Sequence, residues 1–334
     1  LWELFLTVSK KQSSLFKLVS FRAANTIIVF VALLLVFTFF TRNRVFFSSR
    51  NIGLLSKLAP DLGIVALGIG ILMICGEFDL SVASTVAVCA YVFVLLLKGG
   101  TSLFLIAIIT LGLGAALGLL NGLITVKGGI PSFIATLGMM MFWRGVLYVS
   151  SRMWPIGIRT YLPAGTSFEQ IFVGRVGGVI PAQAVWFVGL AAILGILLHF
   201  HKFGNWIYAT GDNQEAARAM GINTDRVKIG CFMIVGILCA FVAILQLLRL
   251  GSFCCTQGQG FELKAIAASV VGGTFLTGGL GSVVGIFLGA LTIQIMENGL
   301  ILMGVPVFGI GAFIGLAIIL FVLLNNYVER KRIS

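Results

Sequence analysis

Leu103-Phe-Leu-Ile-Ala-Ile-Ile-Thr-Leu-Gly-Leu-Gly-Ala-Ala-Leu-Gly-Leu-Leu-Asn-Gly-Leu-Ile-Thr-Val126 runs for 24 residues without a charge. As a helix such a run covers about 36 Å, more than the ~30 Å hydrocarbon layer of a bilayer. A backbone in hydrocarbon must satisfy its own polar groups, so this stretch reads as a membrane-spanning helix. Working outward, apolar runs and breakers give ten candidate spans, near 23–41, 60–76, 80–97, 103–126, 132–150, 184–203, 229–249, 262–275, 280–300 and 307–326. A composition of 59% apolar and 10% charged residues lies outside the range of soluble domains. The expected fold is therefore all-α, a polytopic membrane protein of about ten transmembrane helices.

An even span number puts both termini on one side. Lys10, Lys11, Lys17 and Arg22 precede the first span and Glu329-Arg330-Lys331-Arg332 follows the last, which suits a cytoplasmic side. The full count is less decisive: twelve Lys/Arg fall on that side, nine opposite, and Arg144 and Lys264 within spans. Arg42, Arg44, Arg50 and Lys57 lie on the unexpected side, as on an interfacial helix whose basic side chains snorkel to headgroups. The organisation expected is a cytoplasmic segment 1–22, one transmembrane domain 23–326 and a cytoplasmic tail 327–334. Nothing early in the chain reads as a secretory signal. The net charge of +12 sits at span ends, so the partner it suggests is lipid rather than nucleic acid.

A repeat divides the chain. Asn121-Gly-Leu-Ile124 with Gly129-Ile-Pro131-Ser-Phe133 matches Asn298-Gly-Leu-Ile301 with Gly304-Val-Pro306-Val-Phe308. Gly114 and Gly118 precede the first copy as Gly285 and Gly289 precede the second, each pair at a spacing that lets helices approach closely. The match lays spans four and five over nine and ten. Five spans per half is odd, so halves of about 23–183 and 184–326 would be inverted, a pattern common in transporters.

Two breaks interrupt the apolar runs: Gly76-Glu-Phe-Asp-Leu-Ser81 and Gly272-Gly-Thr-Phe-Leu-Thr-Gly-Gly279. Irregular backbone at membrane depth needs protein or water around it. Glu77, Phe78, Asp79, Ser81 and Phe275, with the repeat residues Asn121 and Asn298, are thus candidates for a pathway or helix break. Asp79 also reads as a cap accepting from the amides of Leu80–Val82. Glu77, Glu262, Lys264 and Glu297 are ionisable groups near membrane depth, where a partner or pathway role is expected. Glu262 and Lys264 stand at a span start and read as interfacial.

Between spans six and seven lies the polar stretch 204–230, whose loop core is 204–228. Asp212 with Glu215 forms a capping-box pattern, and Gly221 is a stop. The short helix between them is expected to carry Ala216, Ala217 and Met220 on one face. Two readings fit: a solvated loop that reverses the chain, or an element that docks a soluble partner.

Several chemistries are missing. The chain has no Gly-Lys dipeptide and hence no phosphate-cradling loop. The six cysteines give no metal spacing, and adjacent Cys254 and Cys255 are poorly disposed to bridge each other. His199 and His201 lie together at a span end. No nucleophile–base arrangement or paired-carboxylate domain stands out, so neither catalysis, a metal nor a cofactor is expected of this chain.

Taken in order, Gly76-Glu-Phe-Asp-Leu-Ser-Val-Ala-Ser84, Asn121-Gly-Leu-Ile with Ile130-Pro131 and Ala135-Thr-Leu-Gly138, Ala209-Thr-Gly-Asp-Asn-Gln-Glu-Ala-Ala-Arg218 with Gly221-Ile-Asn223, Gly258-Gln-Gly-Phe-Glu-Leu-Lys-Ala-Ile-Ala267 and Val271-Gly-Gly-Thr-Phe-Leu-Thr-Gly-Gly279 resemble the permease subunits of binding-protein-dependent ABC importers of the ribose, xylose, arabinose and autoinducer-2 type. The resemblance covers about residues 50 to 326. It departs at Glu77 and Phe78, where the family motif usually has Gly-Ile, and at Ala83, where it has Gly. It implies a type II ABC importer-like fold in a bacterial inner membrane, a second permease subunit (the same or a homologous chain), a cytoplasmic ABC ATPase and an extracytoplasmic solute-binding protein. It also implies that Asp212, Asn213, Glu215, Ala216, Ala217, Arg218, Met220 and Gly221 form the ATPase-coupling helix. In the outer loop 150–183, Arg152, Arg159 and Arg175 are expected either to meet acidic groups of the binding protein or to contact lipid. Nucleosides, riboflavin and branched-chain amino acids are alternative cargoes, and an ion-coupled secondary transporter is the alternative mechanism.

Overall fold

The computed structural model describes residues 26–306 and 308–317, with 319, 320 and 323; the expected cytoplasmic segment 1–22 and tail 327–334 lie outside the described residues. Helix α1 spans Thr26–Phe40. A 3-10 turn at Arg42–Phe47 leads into α2, Ser49–Ile74, and then α3, Val82–Lys98, α4, Leu103–Gly128, and α5, Ser132–Ser151. After a two-residue strand β1, Ile156–Gly157, come the short α6, Ser167–Val173, and a hairpin of β2, Arg175–Val176, and β3, Ile180–Pro181. Then follow α7, Ala182–Phe200, α8, Lys202–Asp212, α9, Gln214–Ala219, and α10, Thr224–Leu250. The chain continues through β4, Ser252–Phe253, α11, Phe261–Val271, and α12, Val283–Leu302, to α13, Phe308–Ala317.

Among the described residues six helices, α2, α4, α5, α7, α10 and α12, are long and apolar enough to cross a membrane, so the protein is a polytopic helical membrane protein. Each of the ten apolar stretches read from the sequence contains a helix. Boundaries differ most at α2, which starts at Ser49 rather than near residue 60 because Ser48 caps it, its hydroxyl accepting from the Asn51 amide. The interfacial helix expected to carry Arg50 and Lys57 is thus the first part of α2, running unbroken through Pro60.

The core is the pair α2 and α10. In their most apolar windows 89% and 83% of residues are buried, against 22% in α5 and α7, whose apolar faces point outward as lipid-facing surfaces do. The pair is antiparallel. Asp61 meets Arg249 at one end, Gly68 packs on Val235 and Leu238, and Glu77 meets Lys228 at the other. Around it the small residues let backbones touch. A Cβ on Gly114 would stand 2.3 Å from the Gly236 carbonyl oxygen, and one on Gly289 would stand 2.0 Å from that of Ala268. Gly118 lies in the same way against Phe232, and Gly285 against Gly272, so all four repeat glycines sit at helix contacts, α4 on α10 and α12 on α11.

The bundle has two ends. The first holds both Gly-rich breaks, α8, α9 and the start of α5. The second holds the start of α2, the loop 150–183 and β4, which pairs antiparallel with β1.

Candidate functional site

At the first end three segments distant in sequence meet backbone to backbone. The Gly279 amide donates to the Ile74 carbonyl at 2.9 Å. A Cβ on Gly211 would lie 1.9 Å from that same oxygen, and one on Gly278 would lie 2.9 Å from the Cα of Gly76. Both breaks and the end of α8 thus share one glycine junction. Tyr208 of α8 adds a hydrogen bond from its hydroxyl to the Gly281 carbonyl at 2.8 Å. Burial pushes that phenol up to about 12, so it stays a neutral donor at physiological pH.

Helix α9 stands on this junction. The structure corrects the cap: Asp212 is the last residue of α8, and Asn213, in extended conformation, accepts from the Ala216 amide at 3.0 Å. The Asp212–Glu215 box does not form, because Asn213 breaks the helix one residue later than that pattern requires. The expected stop holds. Gly221 has φ +85°, its amide donates to Arg218, and the Ile222 amide donates to the Ala217 carbonyl. The single apolar face does not form either. Ala217 is buried against the protein, whereas Ala216 and Met220 face out, Met220 being 82% exposed. Arg218 folds back, its Nε donating to the Thr224 hydroxyl at 2.8 Å and its Nη2 pairing with Asp225 at 2.6 Å. What remains open outward is a short surface of Asp212, Asn213, Glu215, Ala216, Met220 and Gly221.

Beneath α9, Lys228 joins two parts of the site. Its Nζ lies 2.6 Å from Glu77 Oε1 and 2.9 Å from Gln214 Oε1. The Lys228 and Glu77 side chains are only 13% and 11% exposed, so water screens this pair weakly. Phe78, next in the chain, is half-buried and donates its amide to the Ser132 hydroxyl at 3.1 Å. Asp79 is buried. One of its oxygens accepts from the Ser81 amide and hydroxyl, both at 2.7 Å, and the other from Asn121 Nδ2 at 3.1 Å. Asn121 Nδ2 also lies 2.8 Å from the Ser81 oxygen. Asp79 therefore caps only one of the three amides expected of it, since the Leu80 amide turns to the Thr136 hydroxyl at 3.0 Å. Phe275, in the other break, closes a turn by donating its amide to the Leu280 carbonyl at 3.1 Å.

Asn298 is not part of this cluster. It sits at the second end, exchanging two amide hydrogen bonds of 2.9 Å with Asn51. Lys264 is not simply interfacial, since its Nζ pairs with Glu297 at 2.9 and 3.0 Å, joining α11 to α12. The three arginines of the loop 150–183 separate. Arg159 pairs with Glu169 at 2.9 Å and donates to the Leu248 carbonyl at 3.2 Å, pinning the loop to α10. Arg152 and Arg175 are exposed, and no ion pair of theirs is found among the described residues. Sequence reasoning missed Lys228, Asn51, Ser132, Thr136 and the Asp61–Arg249 pair. Each is recognisable only once its partner in another segment is in place, although Glu77 did read as a carboxylate with either a partner or a pathway role.

A buried helical pair, glycine-broken spans and a capped helix with an outward surface describe a polytopic helical membrane protein. The model of the family described as branched-chain amino acid transport system / permease component matches residues 51–324, and the chain belongs to that family. It is 33% identical to the xylose/arabinose import permease protein XylH of Sulfolobus acidocaldarius, over 90% of this chain and 84% of that one. It is 34% identical to the ribose import permease protein RbsC of Escherichia coli K12, over 84% of this chain and 87% of that one. Against the autoinducer 2 import system permease protein LsrC of Photorhabdus laumondii the identity is 31%, over 83% and 82% of the two chains. No solved structure matches.

Proposed function

We propose that this chain is the membrane permease subunit of an ATP-driven importer, forming the path for a sugar or sugar-like solute. The observation that carries the reading is α9, a capped helix with an outward surface, seated on the junction where both broken spans meet. Family membership and the import permeases among its relatives support the class, and their named cargoes, xylose or arabinose, ribose and autoinducer 2, support a sugar-like solute. ATP hydrolysis then belongs to a cytoplasmic ABC ATPase that receives α9, and solute arrives from an extracytoplasmic binding protein at the second end. Arg152 and Arg175 are the basic groups free to meet it, while Arg159 is committed to Glu169. A second permease subunit, the same or a homologous chain, completes the path.

In this reading ten helices cross the bacterial inner membrane as two inverted halves, 23–183 and 184–326, with both termini cytoplasmic. Two features support the inversion. Asn298 bonds Asn51 near the start of α2, whereas Asn121 bonds Asp79 and Ser81 in the break that follows α2, whose 26 residues span about 39 Å. The central helices α2 and α10 also correspond to the second candidate span of each half, 60–76 and 229–249. The glycine junction and the Asp79–Ser81–Asn121 network lie at the cytoplasmic end, where closure of the ATPase would shift α9 and bias the path between inward- and outward-open states.

The test is uptake in proteoliposomes holding the permease, its ATPase and binding protein. Glu215→Lys and Met220→Glu alter exposed side chains only, so assembly of the membrane domain should persist while solute uptake per ATP falls at least tenfold. Normal coupled uptake in both variants, or uptake sustained with no ATPase present, would refute the assignment.

A further inference from the structure

We propose that Lys228 is the positioning residue that passes displacement of α9 to the break between α2 and α3. The inference rests on the reading of α9 as the ATPase-coupling helix. Lys228 lies in the first turns of α10, a helix fixed by burial along most of its length. Its ammonium carries three protons, and two acceptors converge on it from different segments: Gln214, the first residue of α9, and Glu77, within the break. From Glu77 the chain runs two residues to Asp79, and through Asp79 and Ser81 to Asn121 of α4. Polar contacts on either side of a two-residue stretch of backbone therefore join the outward helix to the break and to α4.

The chemistry of the link suits relay rather than mere fastening. Gln214 offers a neutral amide oxygen at 2.9 Å, and a hydrogen bond of this kind is lost once the atoms part by more than about half an ångström. Glu77 offers a charge in a weakly screened site, so its hold on Lys228 is the firmer of the two. When α9 moves, either Lys228 follows it and draws Glu77 along, or the Gln214 contact opens and Lys228 stays with Glu77. In the first outcome the break moves with α9; in the second the link is cut and the break is released from α9, so relay requires the first. A contact network of this type carries coupling only if the linked element has two arrangements, and the glycine junction beside it, where main chain lies on main chain, would pass such a shift directly between the segments.

The experiment uses the assembled transporter in proteoliposomes and reads two quantities: affinity for the ATPase, and solute moved per ATP hydrolysed. Lys228→Met should still bind the ATPase, yet lower solute per ATP about tenfold. Lys228→Arg should keep most of the coupling, and the double reversal Glu77→Lys with Lys228→Glu should recover more than either single reversal retains. Unchanged coupling in Lys228→Met overturns the proposal, and so does a loss of ATPase affinity as large as that of Met220→Glu, which would mean that Lys228 only shapes α9. Should Lys228→Met fail to assemble, Glu77→Gln with Lys228→Met, which strands no charge, is read by the same two criteria. Failure of the underlying assignment looks different: Met220→Glu would then remain coupled whatever Lys228 does.

Discussion

Replacing Arg249 with methionine tests whether charge or shape holds the second end of the central helix pair. Arg249 Nη2 bonds Asp61 Oδ2, with side-chain exposures of 19% and 4%, and Gln246 lies alongside. An exposed pair of this kind would contribute about 0–1 kcal/mol. Removing one partner of a buried pair costs about 3–5 kcal/mol, because the remaining charge has no compensation. The arginine keeps some water, which argues for the lower end of that range, about 3 kcal/mol, or roughly a 150-fold shift in the unfolding equilibrium. Methionine keeps the unbranched stem of Arg249 but not its guanidinium, so some packing is lost along with the charge. The double variant Asp61→Leu with Arg249→Met removes both charges and should return to within about 1 kcal/mol of the parent. The assay is equilibrium unfolding in mixed detergent micelles, followed by tryptophan fluorescence. If single and double variants are destabilised equally, the pair acts through packing and the electrostatic reasoning fails.

Gly236→Val would place its Cβ about where the Gly114 carbonyl oxygen stands, 2.0 Å from the ideal position, so α4 and α10 must part. A loss of about 1–3 kcal/mol or more in the same unfolding assay is expected, with Gly138→Ala, which meets nothing within 4 Å, as the silent comparison. Asn213→Ala removes the α9 cap, worth about 1 kcal/mol, and should loosen α9 to hydrogen exchange without shifting global unfolding. Arg152→Glu and Arg175→Glu should slow association with the binding protein and flatten its salt dependence, measured by surface-immobilised binding kinetics. Arg159→Ala should instead raise hydrogen exchange in residues 158–173, because its salt bridge to Glu169 and its bond to Leu248 pin that loop.

Much of the architecture was legible because hydrophobic length and breakers act locally. Glycines at 114, 118, 285 and 289 were readable as contact points, since only small residues admit so close an approach. Their partners were not readable, because a spacing says nothing of the opposing helix. The one-residue error at the α9 cap has a similar origin. Asp212 and Asn213 are both competent caps, and the choice depends on where α8 ends, which is set by Gly211 packing on Ile74. Glu77 was visible as an anomaly in its motif, but Lys228 looked like an ordinary basic residue at a span end. Asn121 and Asn298 looked equivalent, and their different partners, Asp79 with Ser81 and Asn51, follow from the opposite ends they occupy.

The contact among Gly76, Gly211 and Gly278–Gly279 has a mechanical consequence. Side chains between moving parts act as cushions, since rotamer changes absorb small displacements before they are passed on. Here main chain lies directly on main chain, so the joint has no backlash, and a small displacement of one segment is felt at once by the other two. A joint of that kind trades tolerance for fidelity. It leaves no room for even one added methyl group at Gly211, and it gives the molecule a stiff knuckle where a compliant one would let applied force dissipate.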